Sequence, residues 1–167
     1  MKLNAVLALA GLLSTLPLAA HAEDLVAGAA DLSAVPAEVM KSASRTLPGV
    51  TFVEAEINVE LGTAPSLVIW EITGLKDGEF IEVDVRADGS IDEIETVIEL
   101  AAVPKLVLET LKSEFPGYTT SKIERSVRPR RDGGRVVWYE FKGANSEKAL
   151  LDVEITEDGR YYIMEAD

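Results

Sequence analysis

The chain contains no cysteine, and its one histidine, His21, falls in a segment expected to be removed. The first absence excludes disulfide staples, thiol nucleophiles, zinc–thiolate sites, iron–sulfur clusters and a lipid-modified N-terminal cysteine. The second leaves the mature chain without imidazole, which excludes a Ser-His-Asp arrangement, His-ligated metals and histidine general bases. Positive charge is scarce as well: 16 Lys and Arg stand against 29 Asp and Glu, a formal net charge of −13. That balance excludes nucleic acid as a partner, since its binding rests on cationic neutralisation of phosphates.

What is present begins with a leader. Lys2 is followed by the apolar run Ala5 to Ala20 and then by Ala20-His21-Ala22 before the acidic Glu23. A short positive start, an apolar stretch and a small-x-small site describe a secretory signal peptide over residues 1–22, cleaved after Ala22. Ser14, Thr15 and Pro17 interrupt the run and no stop-transfer pattern follows it, so no integral membrane segment is expected after processing. The mature chain of 145 residues, net charge −14, is expected in the periplasm or outside the cell. A chain that long buries roughly two-thirds of the surface its unfolded form exposes, so it needs neither metal nor disulfide for stability.

Self-similarity organises the rest. Val35-Pro36 recurs as Val103-Pro104, Leu47-Pro48-Gly49 as Phe115-Pro116-Gly117, Trp70-Glu71-Ile72 as Tyr139-Glu140-Phe141, and Asp88-Gly89 as Asp158-Gly159. After a linker over 23–32, this predicts an α+β fold of two tandem repeats, 33–100 and 101–167. Each is a helix followed by a four-stranded antiparallel meander, with the helices on one sheet face and the other face open. Pro at the start and Pro-Gly at the end bracket each helix; in the second, Leu106, Val107, Leu111 and Phe115 recur at helical spacing. Period-two alternation marks the strands, with Val53, Ala55, Ile57, Val59 and Leu61 on the buried side of the first, and Asp88-Gly89 signals a two-residue hairpin.

The same alternation sorts the faces. Val68, Trp70, Ile72, Ile81, Val83 and Val85, with Val137, Tyr139, Phe141, Leu151, Val153 and Ile155, fall on the core parity. Glu54, Glu56, Glu60, Glu71, Glu82 and Asp84, with Lys122, Glu124, Arg128, Trp138, Glu140, Asp152 and Glu154, fall on the wet one.

Helix, Pro-Gly break, Trp-Glu-Ile or Tyr-Glu-Phe strand, acidic-apolar strand and Asp-Gly turn together resemble the PepSY-like family of exported bacterial proteins. The match runs from about Val35 to Glu165. The resemblance implies tandem helix-plus-sheet units similar to the β-lactamase inhibitory protein fold. It also implies a non-catalytic, exported protein-binding module, an inhibitor or regulator of a secreted or periplasmic protein such as a peptidase, bound through the open sheet face.

Candidate contact residues follow from charge and parity. Five of the eight arginines, Arg125, Arg128, Arg130, Arg131 and Arg135, lie inside eleven positions, while residues 23–100 hold 4 basic against 17 acidic side chains. Arg128, Arg130 and Arg131 therefore suit an acidic contact, against the simpler account of a solvated hairpin tip. Trp138 and Ile69 are large apolar residues on the polar parity, and Trp138 ringed by Lys122, Arg128 and Glu140 has the composition of a binding hot spot. Glu71 joins them on the same face. No catalytic residue, metal ligand or cofactor is expected.

Two rivals remain. An acidic cation-binding or envelope-homeostasis module would take calcium, for which Asp84, Asp88, Asp92 and Glu93 offer a faint loop with Arg86 at a position that should supply oxygen. A hydrolase would use paired carboxylates, about 5 Å apart on neighbouring strands.

Overall fold

The computed structural model describes residues 24–61, 67–160 and 162–166. The expected signal peptide and its expected cleavage after Ala22 lie outside the described residues. The order is β1 (Asp24–Ala30), α1 (Ala37–Thr46), β2 (Thr51–Leu61), β3 (Leu67–Lys76), β4 (Glu79–Arg86), β5 (Ile91–Val97), α2 (Lys105–Glu114), β6 (Thr119–Pro129), β7 (Arg135–Ala144), β8 (Leu150–Thr156) and β9 (Tyr162–Ala166). Short 3₁₀ turns precede each α-helix, at Leu32–Ala34 and Leu100–Ala102.

Local chemistry sets the ends of these elements. Pro36 and Pro104 cap α1 and α2, where a missing N–H costs nothing, and their carbonyls accept from Met40 and Leu108 at 3.0 and 3.2 Å. Each helix stops at a Pro-Gly pair whose glycine, Gly49 or Gly117, has φ of +82°, a conformation in which a Cβ would clash. Asp77-Gly78, both at positive φ, makes the two-residue turn between β3 and β4. Asp88-Gly89 does not: only Gly89 is left-handed, Arg86 N–H reaches Ser90 O at 2.9 Å, and the loop is longer than the expected two-residue hairpin.

The expected pair of tandem helix-plus-four-strand repeats is corrected by the sheet. All nine strands form one continuous antiparallel sheet in chain order, so the units are not separate. Two separate meanders would each leave an unpaired edge at β5 or β6, a row of unsatisfied N–H and C=O groups. Instead β5 and β6 pair in a four-residue ladder: Ile94 with Val127, Glu95 with Ser126, Thr96 with Arg125 and Val97 with Glu124. Ile98 N–H continues it to Ile123 O at 2.9 Å. The segment expected to be a linker contributes β1, which pairs with β2 along Asp24–Ala30.

Both helices cover the same sheet face. Val39 and Ala43 of α1, with Leu47 just after it, pack with Ala55, Trp70, Ile72, Val83 and Val85; Val107 of α2 packs with Ile123, Val137, Tyr139, Phe141, Val153 and Ile155. Three bulges decide which residues join these cores. Phe52 pairs with Gly74 and Glu54 with Thr73, which leaves Val53 as an extra residue, turned out and 46% exposed rather than in the core. Ser121 is the extra residue of β6 and Asp92 of β5. Leu106 also departs from expectation, facing away at 57% exposure while the next residue, Val107, is fully buried.

One sheet with one shared face unfolds as one unit. Denaturant unfolding should therefore show a single cooperative transition by both fluorescence and circular dichroism. Phe141→Ala, which empties a fully buried site, should lower its free energy by about 3–5 kcal/mol without splitting it. Two resolved transitions, with only one of them moved by Phe141→Ala, would show independent halves.

Candidate functional site

The face opposite the helices carries no covering element among the described residues, and its side chains follow from register alone. One cross-strand row runs Glu56, Glu71, Asp84 and Glu93 through directly paired positions on β2 to β5. The next runs Glu54, Thr73, Glu82, Glu95, Ser126, Trp138 and Thr156. A third joins Val97, Glu124, Glu140 and Glu154. The β5–β6 ladder carries the second and third rows from one half of the chain into the other. Carboxylates contributed by one half of the chain thereby stand beside those contributed by the other.

Arg128 is the fixed cation of this field. Its Nε meets Glu93 Oε1 at 2.8 Å, while its two terminal nitrogens donate to Glu154 at 2.7 and 2.6 Å in a bidentate fork. The guanidinium also lies over the Trp138 ring, 5.5 Å from the centroid. Burial opposes the Arg128 charge, but its hydrogen bonds to Glu154 and Glu93 outweigh that and hold the group above its ordinary range. Even with this partner, burial leaves the Glu93 carboxyl raised.

Beside that network sits a cluster of three. Glu95, Glu124 and Glu140 each place a carboxylate oxygen within 4.8 Å of the others. Glu124 is buried, its oxygens facing Lys122 Nζ at 2.6 Å and Lys142 Nζ at 3.4 Å; Lys142 also reaches Glu140 at 3.3 Å. Burial works against the Lys142 ammonium, yet Glu140 and Glu124 raise it overall, while burial raises Glu140 despite Lys142. Glu95 lacks such a counter-ion: burial first, then Glu93, Glu140 and Glu124, push its carboxyl up to about 9. Further along the face, burial and then Glu71 push Asp84 up to about 8, and burial and then Glu82 push Glu71 up to about 7. Chemically this is an oxygen-donor surface able to exchange protons and cations.

The residues expected to make contacts are partly gathered and partly scattered. Trp138 and Arg128 are in contact, whereas Lys122 and Glu140 lie further along β6 and β7 beside Glu124, so no ring closes around Trp138, and Arg128 is engaged in the strand network rather than free at a tip. Arg130 and Arg131 are exposed in the β6–β7 turn, where Arg130 lies 3.5 Å from Asp132. Ile69 is buried at 9% exposure between Asn58 and Arg86 and presents no apolar anchor. Glu71, on β3, is separated from this group by β4 and β5 and hydrogen-bonds Asn58 Nδ2. Of the faint calcium loop, three members have partners of their own: Asp88 accepts from Ser90 N and Oγ at 2.9 and 2.6 Å, Asp92 pairs with Arg86 and Glu93 with Arg128. Glu93, Glu95, Ser126 and Lys142 were not among the expected contacts. The bulge at Asp92 hides the first two, because it shifts the alternation of β5.

No protein-family model matches the chain, and no curated protein matches it. Among solved structures, a DUF2874 family protein from Bacteroides uniformis is similar, with a TM-score of 0.54 at 16% sequence identity. The match covers 78% of this chain and 89% of that one. At that identity the likeness concerns the fold alone.

The raised carboxyls make stability depend on pH in a definite direction. Unfolded carboxylic side chains ionise near pH 4, so above that the folded chain holds protons that the unfolded chain has released. Their contribution is complete below about pH 4 and is lost as pH rises through about 7 for Glu71, 8 for Asp84 and 9 for Glu95. The melting temperature should fall between pH 6 and pH 9, each group contributing at most about 1.4 kcal/mol per pH unit and less through residual hydration. Glu95→Gln, a permanent mimic of the protonated form, should flatten the alkaline part of that decline. A melting temperature that rises over this interval would contradict the assignment.

Proposed function

We propose that this protein is an exported, non-catalytic protein-binding module that acts through the open face of its sheet. It serves as an inhibitor or regulator of a secreted or periplasmic partner such as a peptidase. The observation that carries this reading is the placement of both helices on one face, which leaves the opposite face uncovered and acidic across β2 to β5. Half-buried carboxylates ranked along one sheet face suit a partner that brings Lys or Arg side chains, with electrostatic steering setting the association rate. The PepSY-like motifs support the same reading. At the far end of the face, Trp138 lines a shallow hollow of ≈ 630 Å³ with Arg130, Arg135, Val136 and Asp158, and supplies the aromatic contact there.

The test is paired capture from an envelope extract. The mature chain and a Lys105→Glu, Glu109→Lys variant, altered on the exposed surface of α2, should retain the same partner. Glu54→Lys with Glu56→Lys, altered on the open face, should lose it, and the wild-type complex should weaken with added salt. Equal capture by the open-face variant would remove this face from the function.

A further inference from the structure

We propose that Glu95, Glu124 and Glu140, with the Ser126 hydroxyl, form a binding site for one hard divalent cation, calcium being the best match, at the β5–β6–β7 junction of the open face. The three carboxylate oxygens already converge within 4.8 Å, the span across which one ion can bridge them. Ser126 points to a ligand independently. Its side chain is fully buried, its Oγ has no hydrogen-bond partner among the described residues, and a buried hydroxyl in that state is costly. Register aims it into the cluster: Ser126 stands directly opposite Glu95 and two residues from Glu124, on the same face. Access exists from the side, through a shallow hollow of ≈ 280 Å³ lined by Glu54, Thr73, Glu82, Glu95, Lys122 and Glu124.

The donors are all oxygen, which selects hard cations over zinc or copper. Their arrangement is irregular, with carboxylates from three strands and a hydroxyl, and calcium tolerates such geometry where magnesium demands a near-octahedral shell. Glu82 on β4 and Glu93 on β5 add negative charge around Glu95; Lys122 on β6 and Lys142 on β7 subtract from it. Lys142 is the internal competitor, because its ammonium lies between Glu124 and Glu140.

This site stands independently of the protein-binding proposal, since Glu54 and Glu56 supply none of its ligands. Titration calorimetry of the mature chain with calcium chloride tests it. The expected result is one saturable site with a Kd of roughly 10⁻⁴–10⁻³ M, the range of exposed extracellular modules. Glu95→Gln should weaken binding about tenfold or more, while Ser126→Ala should weaken it less. Lys142→Gln should tighten it, whereas Lys105→Gln, remote on α2, should leave it unchanged. Circular dichroism confirms that each variant is folded. The absence of saturable heat up to about 10 mM calcium, or a folded Glu95→Gln variant that binds as wild type does, would overturn the site. Tighter binding of magnesium than of calcium would overturn the choice of ion.

Discussion

The four-residue ladder between β5 and β6 is the contact on which the remaining architecture depends. It satisfies two strand edges that would otherwise lie open, and it fuses what the helices would divide into one sheet. The apolar side of the ladder, Ile94 against Val127, connects the core under α1 to the core under α2. Its polar side, Glu95 against Ser126, connects the acid-rich first half of the chain to the second half, where nearly all the open-face cations originate. Every feature of the candidate site crosses or borders this line: Arg128 reaches back to Glu93, and Glu124 and Glu140 converge on Glu95.

That junction concentrates an electrostatic cost. Carboxyls crowded on one sheet face shield one another from water, so burial first and neighbouring carboxylates second raise Glu71, Asp84 and Glu95. Arg128 relieves one part of the field by pairing with Glu93 and Glu154 at once. Lys122 and Lys142 relieve another by holding Glu124. Glu95 falls between the two sets, with a hydroxyl across from it that also lacks a partner. A surface in that state is receptive to positive charge, whether a proton, a metal ion or the basic side chains of another protein.

Much of this could be reasoned from the amino-acid order, and the failures have physical causes. Pro36, Pro104 and the two Pro-Gly pairs locate both helices because proline and glycine chemistry is local. The alternation around Trp70, Ile72, Tyr139 and Phe141 places four core residues because a pleated strand has a strict period of two. Bulges break that period, so alternation places Val53 inside, passes over Glu95 and offers Glu93 only as part of a calcium loop. Whether β5 pairs with β6 is decided by contacts absent from any local pattern, and a repeat of about seventy residues looks the same in two units as in one sheet. Ile69 was misjudged for a related reason: parity says which face a side chain occupies, but only its neighbours Asn58 and Arg86 say how much of it is covered.

The open face thus owes its chemistry to a single strand pairing, and amide hydrogen exchange across that pairing is the most direct measurement of it. Protection at residues 94–97 and 124–127 comparable to the interiors of β3 and β7, lost only through global unfolding, is the predicted result. Exchange at those positions orders of magnitude faster than in β3 and β7 would contradict it, because a sheet that opens at this line would hold neither the carboxylate cluster nor the continuous binding face together.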